Sequence, residues 1–284
     1  MKFAFISVEK AHFPVAFMCR ELRVSRSGYY ATHVRRPSKR AVENVLLTTR
    51  IREVFIKRRR ACGSPRIYAE LRPTIECSRK RVARIMRKEG LSARRHRSYS
   101  HTTNSHHAFP MAPNLLNRQF LTDAANKIWV ADITYFPTHE GKFYLAAVMD
   151  LYSRRIVGWA TSSSLEKGLC LEALRMALGS RDVAPGLVHH SDRGAQYASD
   201  EYRLILAKHG FESSMSRPDD CWDNAVAESF WASLKGENDG QTSFATRATA
   251  RSYIVAYMEF YNWQRLHSTL GYTAPAVFEA RRAA

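Results

Sequence analysis

The run Ile128-Trp-Val-Ala-Asp-Ile-Thr-Tyr-Phe136 decides how this chain is read. Its β-branched and aromatic residues describe a buried strand, and Asp132 stands in the middle of it. A carboxylate there is costly unless its charge is paired or bound to a metal. Two further acids answer that demand. Asp192 follows Leu187-Val-His-His-Ser191 and precedes Arg193-Gly194, a strand end entering a turn. Glu228 lies on a helix expected from about Trp222, after a turn at Pro218-Asp219-Asp220. Asn224, Glu228, Trp231 and Lys235 share one face of that helix, with Val226, Phe230 and Leu234 on an inward stripe. Taken alone, the stretch also reads as a surface helix carrying a Glu and a Lys.

Around these acids the pattern predicts an α/β core. Strands over 128–137, 142–149 and 155–161, turned at Glu140-Gly141 and Ser153-Arg154, form an antiparallel meander. Helices over 165–178 and 200–209 then alternate with strands over 187–190 and 211–215, and a last helix covers 246–267. That order gives a mixed sheet flanked by helices.

The front of the chain is different. The net charge is +18, and residues 1–123 hold 27 Lys and Arg against eight Asp and Glu, a balance of +19. The remainder holds 17 against 18. Such asymmetry marks a polyanion-binding module joined to something else, with nucleic acid as the partner. A helix over 9–21 and a second one capped by Ser25 make a small helix-turn-helix, although other helical hairpins share the pattern. A long helix over 41–57, with apolar residues at 42, 45, 46, 51, 54 and 55, ends in Lys57-Arg58-Arg59-Arg60. That tail is either a solvated helix end or a set of phosphate contacts, and phosphate contacts explain four consecutive cations better. Ser64 caps a short helix, with Pro65 at its first position. Ser78 caps another over 79–89 that buries Val82, Ile85 and Met86 and stops at Gly90. Its exposed Arg79, Lys80, Arg81, Arg84, Arg87 and Lys88 make it a recognition-helix candidate. Residues 92–125 lack periodicity and read as a linker.

Five cysteines without C-x-x-C spacing argue for reduced thiols and against a disulfide framework or a zinc site. The apolar start, Met1 to Val8, is too short for a secretory signal, and no run of 18 apolar residues could span a membrane. The expectation is a cytoplasmic, nucleoid-associated protein.

Trp129-x-x-Asp132-Ile-Thr-Tyr, His190-Ser-Asp-Arg-Gly-Ala-Gln-Tyr197, Asp223-Asn-Ala-x-Ala-Glu-Ser-Phe230 and Tyr261-Asn-x-x-Arg-x-His-x-x-Leu-Gly271 follow in order, with 59 and 35 residues between the three acids. Together they resemble the OrfB-type DDE transposases of bacterial insertion sequences, in the retroviral integrase-like superfamily. The resemblance implies a ribonuclease H-like catalytic core over 124–284, with a C-terminal helical extension. It also implies a helix-turn-helix-like segment over 1–36, a basic helical domain over 40–95 and a linker over 96–123. Asp132, Asp192 and Glu228 would be catalytic and would hold two Mg²⁺ or Mn²⁺ ions, as hard oxygen donors suit these metals. The implied reaction is strand cleavage at an element end, then attack of the freed 3′-hydroxyl on another phosphodiester. Lys235 is the first candidate to hold the DNA end, the alternative being an ion pair with Glu237. Asn224, Gln196, Tyr197, Arg79, Lys80, Arg84, Arg58, Arg59 and Arg60 are further candidate DNA contacts. Asp150 is read as structural. The implied partners are double-stranded DNA, further copies of the chain and an upstream-frame protein, or a fusion with it. The chain starts at its own Met1, so it is expected to be part of the working enzyme. A DNA-binding remnant or repressor without catalysis is the alternative function.

Overall fold

The computed structural model describes residues 1–34, 36–93, 110–218, 221–238 and 243–283. The residues divide into two units, 1–52 and 53–284.

The first unit begins with α1 (Lys2–Glu9), α2 (Val15–Glu21) and α3 (Arg26–Val34), which enclose Ile6, Met18, Cys19 and Tyr29. This corrects the single helix expected over 9–21. Pro14 disfavours helical geometry at Phe13 and has no N–H to give, so helix stops before it and restarts after it. Ser25 caps α3 as expected, accepting from the Gly28 amide at 3.1 Å. The helix α4 (Lys39–Lys57) contains the division point, between Arg52 and Glu53. It buries Leu47, Ile51 and Phe55, four residues apart, whereas Val42, Val45 and Leu46 are exposed.

In the second unit α5 (Ser64–Leu71) is capped at Gly63 rather than Ser64. On α6 (Arg79–Lys88) the Ser78 side chain accepts from the Arg81 amide, and Gly90 takes the left-handed conformation that ends the helix, φ +66°. Next come β1 (Ile128–Thr138), β2 (Gly141–Asp150), β3 (Ile156–Ser162), α7 (Lys167–Ser180), β4 (Val188–Ser191), the single turn α8 (Ala195–Ala198), α9 (Asp200–Lys208) and β5 (Glu212–Met215). The chain closes with α10 (Ala225–Gly236), α11 (Arg247–Trp263) and α12 (Pro275–Ala283). The sequence pattern had not revealed α12, whose Glu279 pairs with Arg155 and Arg181.

Among the described residues the strands form one sheet in the order β3-β2-β1-β4-β5. The first three are antiparallel, and β4 and β5 run parallel to β1. This is the mixed sheet flanked by helices that the pattern predicted. One face packs Val130 and Phe136 against α10 and α11, the other packs Trp129 and Ala131 against α7, α8 and α9. At Gly158 a Cβ would lie 2.2 Å from the Ala173 carbonyl oxygen, so glycine lets α7 press onto β3.

Of the expected linker, residues 94–109 lie outside the described residues, and the remainder is in place on the core. From Pro110 the chain lies on the core: Leu116 is buried, and the Leu115 amide donates to Ser214 Oγ at 2.9 Å. An extended strap anchored at single residues shows no periodicity, which is why it read as linker.

A buried ion pair fixes the end of α10. Arg265 donates to Glu237 at 2.7 Å and to Ser233 Oγ at 2.8 Å, and the Tyr257 hydroxyl donates to Glu237 at 2.8 Å. Replacing Arg265 by Ala leaves the Glu237 charge to Tyr257 and to Arg66 at 3.7 Å, so unfolding stability measured in denaturant should fall by about 3 kcal/mol.

Candidate functional site

The register of the sheet brings the first two acids together. Ala131 on β1 lies beside Ser191 on β4, so Asp132 and Asp192, one residue further on each chain, stand at adjacent positions. By strand alternation Asp132 shares the face of Val130 and Phe136, which is covered by α10. Glu228 sits in the first turn of α10 and is partly exposed. Burial first, and then the charges of Asp192 and Glu228, push the Asp132 carboxyl well above the usual carboxylate range. Two donors counter this: Trp231 Nε1–H reaches Asp132 Oδ2 at 2.8 Å, and the Ile133 amide reaches Oδ1 at 2.8 Å. Asp192 Oδ1 accepts from the Gly194 amide at 2.9 Å, which closes the turn after β4.

Other groups hold the two elements in place. Asn224 is buried and donates to the Ala131 carbonyl at 3.4 Å, tying the start of α10 to β1. Asp223, fully buried, accepts from the Arg217 amide and guanidinium, from Arg118 at 3.1 Å and from Asn114 at 2.7 Å. The Arg217 bonds above all hold its carboxyl far below the usual range, so it stays ionised. His190 joins β4 to β5, its Nδ1 lying 2.8 Å from Ser214 Oγ, and burial lowers its pKa to about 4. Asp150 is buried and accepts from the amides of Asn126, Tyr152 and Ser153 at the end of β2, a structural arrangement.

Lys235 lies near Asp132. Its Nζ is 5.4 Å from the Tyr135 ring centre and 5.7 Å from that of Phe136, and burial lowers its pKa to about 8 against the pull of Asp132. Glu237, the alternative partner, is taken up by Arg265 and Tyr257. Lys142 Nζ lies 4.7 Å from the centre of the same Tyr135 ring, so two ammonium groups share one ring.

Several expected DNA contacts are placed among protein partners. Tyr197 is 2 % exposed and stacks edge-on against Tyr202 in the core. Asn224 is likewise buried, engaged with β1 rather than presented at a surface. Arg58 pairs with Glu70 at 2.6 Å and with the Gln264 carbonyl, while Arg59 lies over Tyr253, Tyr257 and Phe260, 5.0 Å from the last. Counting cations along the chain cannot reveal an acid twelve residues on, in the next helix, or aromatic rings about two hundred residues away. Arg60 is exposed, as are Arg79, Lys80 and Arg84 on α6. Gln196 is partly exposed and donates to the Leu165 carbonyl at 3.2 Å. The sequence reading missed the contact of Trp231 with Asp132; its position one turn after Glu228 on the same face was the available signal.

Three carboxylates of this kind are hard oxygen donors carrying mutual repulsion, the chemistry that divalent cations relieve. As they stand, no group of three His, Cys, Asp or Glu side chains among the described residues closes on a single ion position. No helix among the described residues is long and apolar enough to cross a membrane.

The integrase core domain family matches residues 122–221 and again 209–275, and an HTH-like domain family matches 42–99. A 31 kDa protein of insertion element IS600 from Shigella sonnei is 43% identical over 266 residues, which is 93% of this chain and 98% of that protein. Transposase InsF for insertion sequence IS3A from Escherichia coli K12 is 38% identical over 288 residues, covering 100% of both. The HTLV-2 integrase catalytic core domain in complex with magnesium aligns with a TM-score of 0.41 and 15% identity, over 53% of this chain and 95% of that one.

Proposed function

The chain belongs to the insertion-sequence transposases with an integrase core, and from that premise we propose that it cuts DNA at the ends of its element and joins the freed 3′ ends to a target. Asp132, Asp192 and Glu228 are the catalytic carboxylates in this reading and would hold two Mg²⁺ or Mn²⁺ ions. The observation that carries it is the adjacency of Asp132 and Asp192 in the sheet register, under a helix whose Glu228 also acts on the Asp132 charge. Such ions, when bound, activate the attacking oxygen and neutralise the leaving one.

The residues divide the remaining work. Asp132 and Asp192 stay fixed through their amide and indole donors, so their oxygens need no reorganisation when the substrate arrives. Lys235 offers a cation to a terminal phosphate beside the acids without being a ligand itself. Water attacks first, which breaks one phosphodiester and leaves a 3′-hydroxyl. That hydroxyl then attacks a target phosphodiester, so one bond forms as another breaks and no external energy source is required. Arg79, Lys80 and Arg84 on α6, with Arg60, bind the duplex backbone, and Gln196 contacts DNA beside Asp192. In this division residues 40–95 bind DNA, and the chain acts as an oligomer on it with an upstream-frame partner.

The test is incubation of the full chain with a labelled duplex carrying the ends of its element. Cleavage and joining should appear with Mg²⁺ or Mn²⁺ and vanish with a chelator. Products formed equally in the presence of chelator would refute the reading.

A further inference from the structure

Trp231 lies one turn beyond Glu228 on α10, and its indole crosses to the neighbouring strand. The ring is 1 % exposed, packed 4.8 Å from the Phe230 ring centre, so it has little freedom to move. Its Nε1–H points at Asp132 Oδ2 from 2.8 Å, a charge-assisted geometry. The other oxygen, Oδ1, is taken by the Ile133 amide, also at 2.8 Å. An ionised carboxylate has about four lone-pair directions, so one donor on each oxygen leaves each oxygen free to accept once more. The two donors also fix the plane of the carboxylate, because they lie on different oxygens. The bond spans the gap between the element bearing Glu228 and the strand bearing Asp132.

We propose that Trp231 is a positioning residue: its indole N–H orients the Asp132 carboxylate and sets the separation between Asp132 and Glu228 at which the acids receive divalent ions. This rests on the reading of Asp132 and Glu228 as the metal-holding acids. The donor acts through Asp132 and touches neither DNA nor the ions. Phenylalanine at 231 would keep an aromatic ring against Phe230 and remove only the donor.

The experiment uses the full chain with Trp231→Phe and Asp132→Asn. Mn²⁺ is titrated by calorimetry without DNA, melting is followed with and without Mn²⁺, and cleavage is measured at several Mn²⁺ concentrations. Trp231→Phe should weaken Mn²⁺ binding by about tenfold or more, as losses of a donor behind a metal ligand do. It should lower kcat, partly recovered by excess Mn²⁺, and leave the KM for DNA unchanged. Wild-type Mn²⁺ affinity and kcat in Trp231→Phe, with Asp132→Asn inactive, would overturn the role of Trp231 alone. Wild-type Mn²⁺ binding and cleavage in Asp132→Asn would instead remove the reading on which it rests. A second measurement covers a Trp231→Phe chain that does not fold. In ¹⁵N-tryptophan-labelled parent protein the Trp231 indole resonance, assigned through its contacts with the Phe230 ring, should shift on adding Mg²⁺ and in Asp132→Asn. An indole resonance unmoved by both overturns the proposal.

Discussion

Asp132→Asn, Asp192→Asn and Glu228→Gln should each lower strand cleavage and strand transfer to the detection floor while the chain stays folded. Each replaces a carboxylate oxygen by an amide nitrogen of the same size. The cost is the loss of several kcal/mol of charge stabilisation, on the order of 10³-fold or more in rate. Fold should survive for a specific reason at Asp132. Burial and the two neighbouring acids oppose its charge, so an amide there removes repulsion, which offsets the loss of one of its two acceptor bonds, to Trp231 or to the Ile133 amide. The melting temperature of Asp132→Asn should therefore stay close to that of the parent. Lys235→Ala should lower activity less than any of the three, because it touches no ion in this reading. Parent-like cleavage by any one of the carboxamide variants would take that residue out of the site.

Duplex binding by the full chain should depend steeply on salt, losing about 10³-fold in affinity between 50 and 200 mM if about six phosphates are contacted. Replacing Arg79, Lys80 and Arg84 together by alanine should reduce the slope of log affinity against log salt by about 2.7, at roughly 0.9 for each lost phosphate contact. All three side chains are exposed on α6, so folding should be unaffected. Arg58→Ala and Arg59→Ala are the contrasting pair. Their cations are occupied by Glu70 and by the rings of α11, so the slope should hardly change. A larger drop for that pair than for the α6 set would return the Lys57–Arg60 tail to the DNA interface and displace α6.

What could be read from the sequence follows from how local each feature is. The strands β1, β2 and β3 and the cap at Ser78 depend on alternation and on turn chemistry within a few residues, and they appear where the pattern put them. The three acids were legible because a charge inside the apolar run at Asp132 has to be explained, and the spacing to Asp192 and Glu228 supplied the explanation. Features made by distant partners were not legible. Arg58 and Arg59 looked like free cations because Glu70 and Phe260 come from other helices. Tyr197 looked like a loop residue because Cys170 and Leu174, which share its core cluster, come from α7. The strap through Asn114 and Leu116 has no period at all, and its anchors, Ser214 and Asp223, lie about a hundred residues on. Trp231 sat on the expected face, but only three-dimensional contact gives its N–H a partner.

The strand order has a consequence for how the chain becomes an enzyme. Strands β1 and β2 are joined by a tight turn at Glu140-Gly141 and can pair as soon as both exist. The parallel pairing of β1 with β4 must wait until β2, β3 and α7 have been passed, and α10 comes later still. Closing long loops and forming non-local pairs is the slow part of folding. Asp132 is thus ordered early, within a hairpin, while Asp192 and Glu228 reach it only through the last, most distant contacts. Species stalled midway, and chains halted before Glu228, possess a sheet but no assembled acids, so the cleavage proposed above would be confined to molecules that have folded to the end.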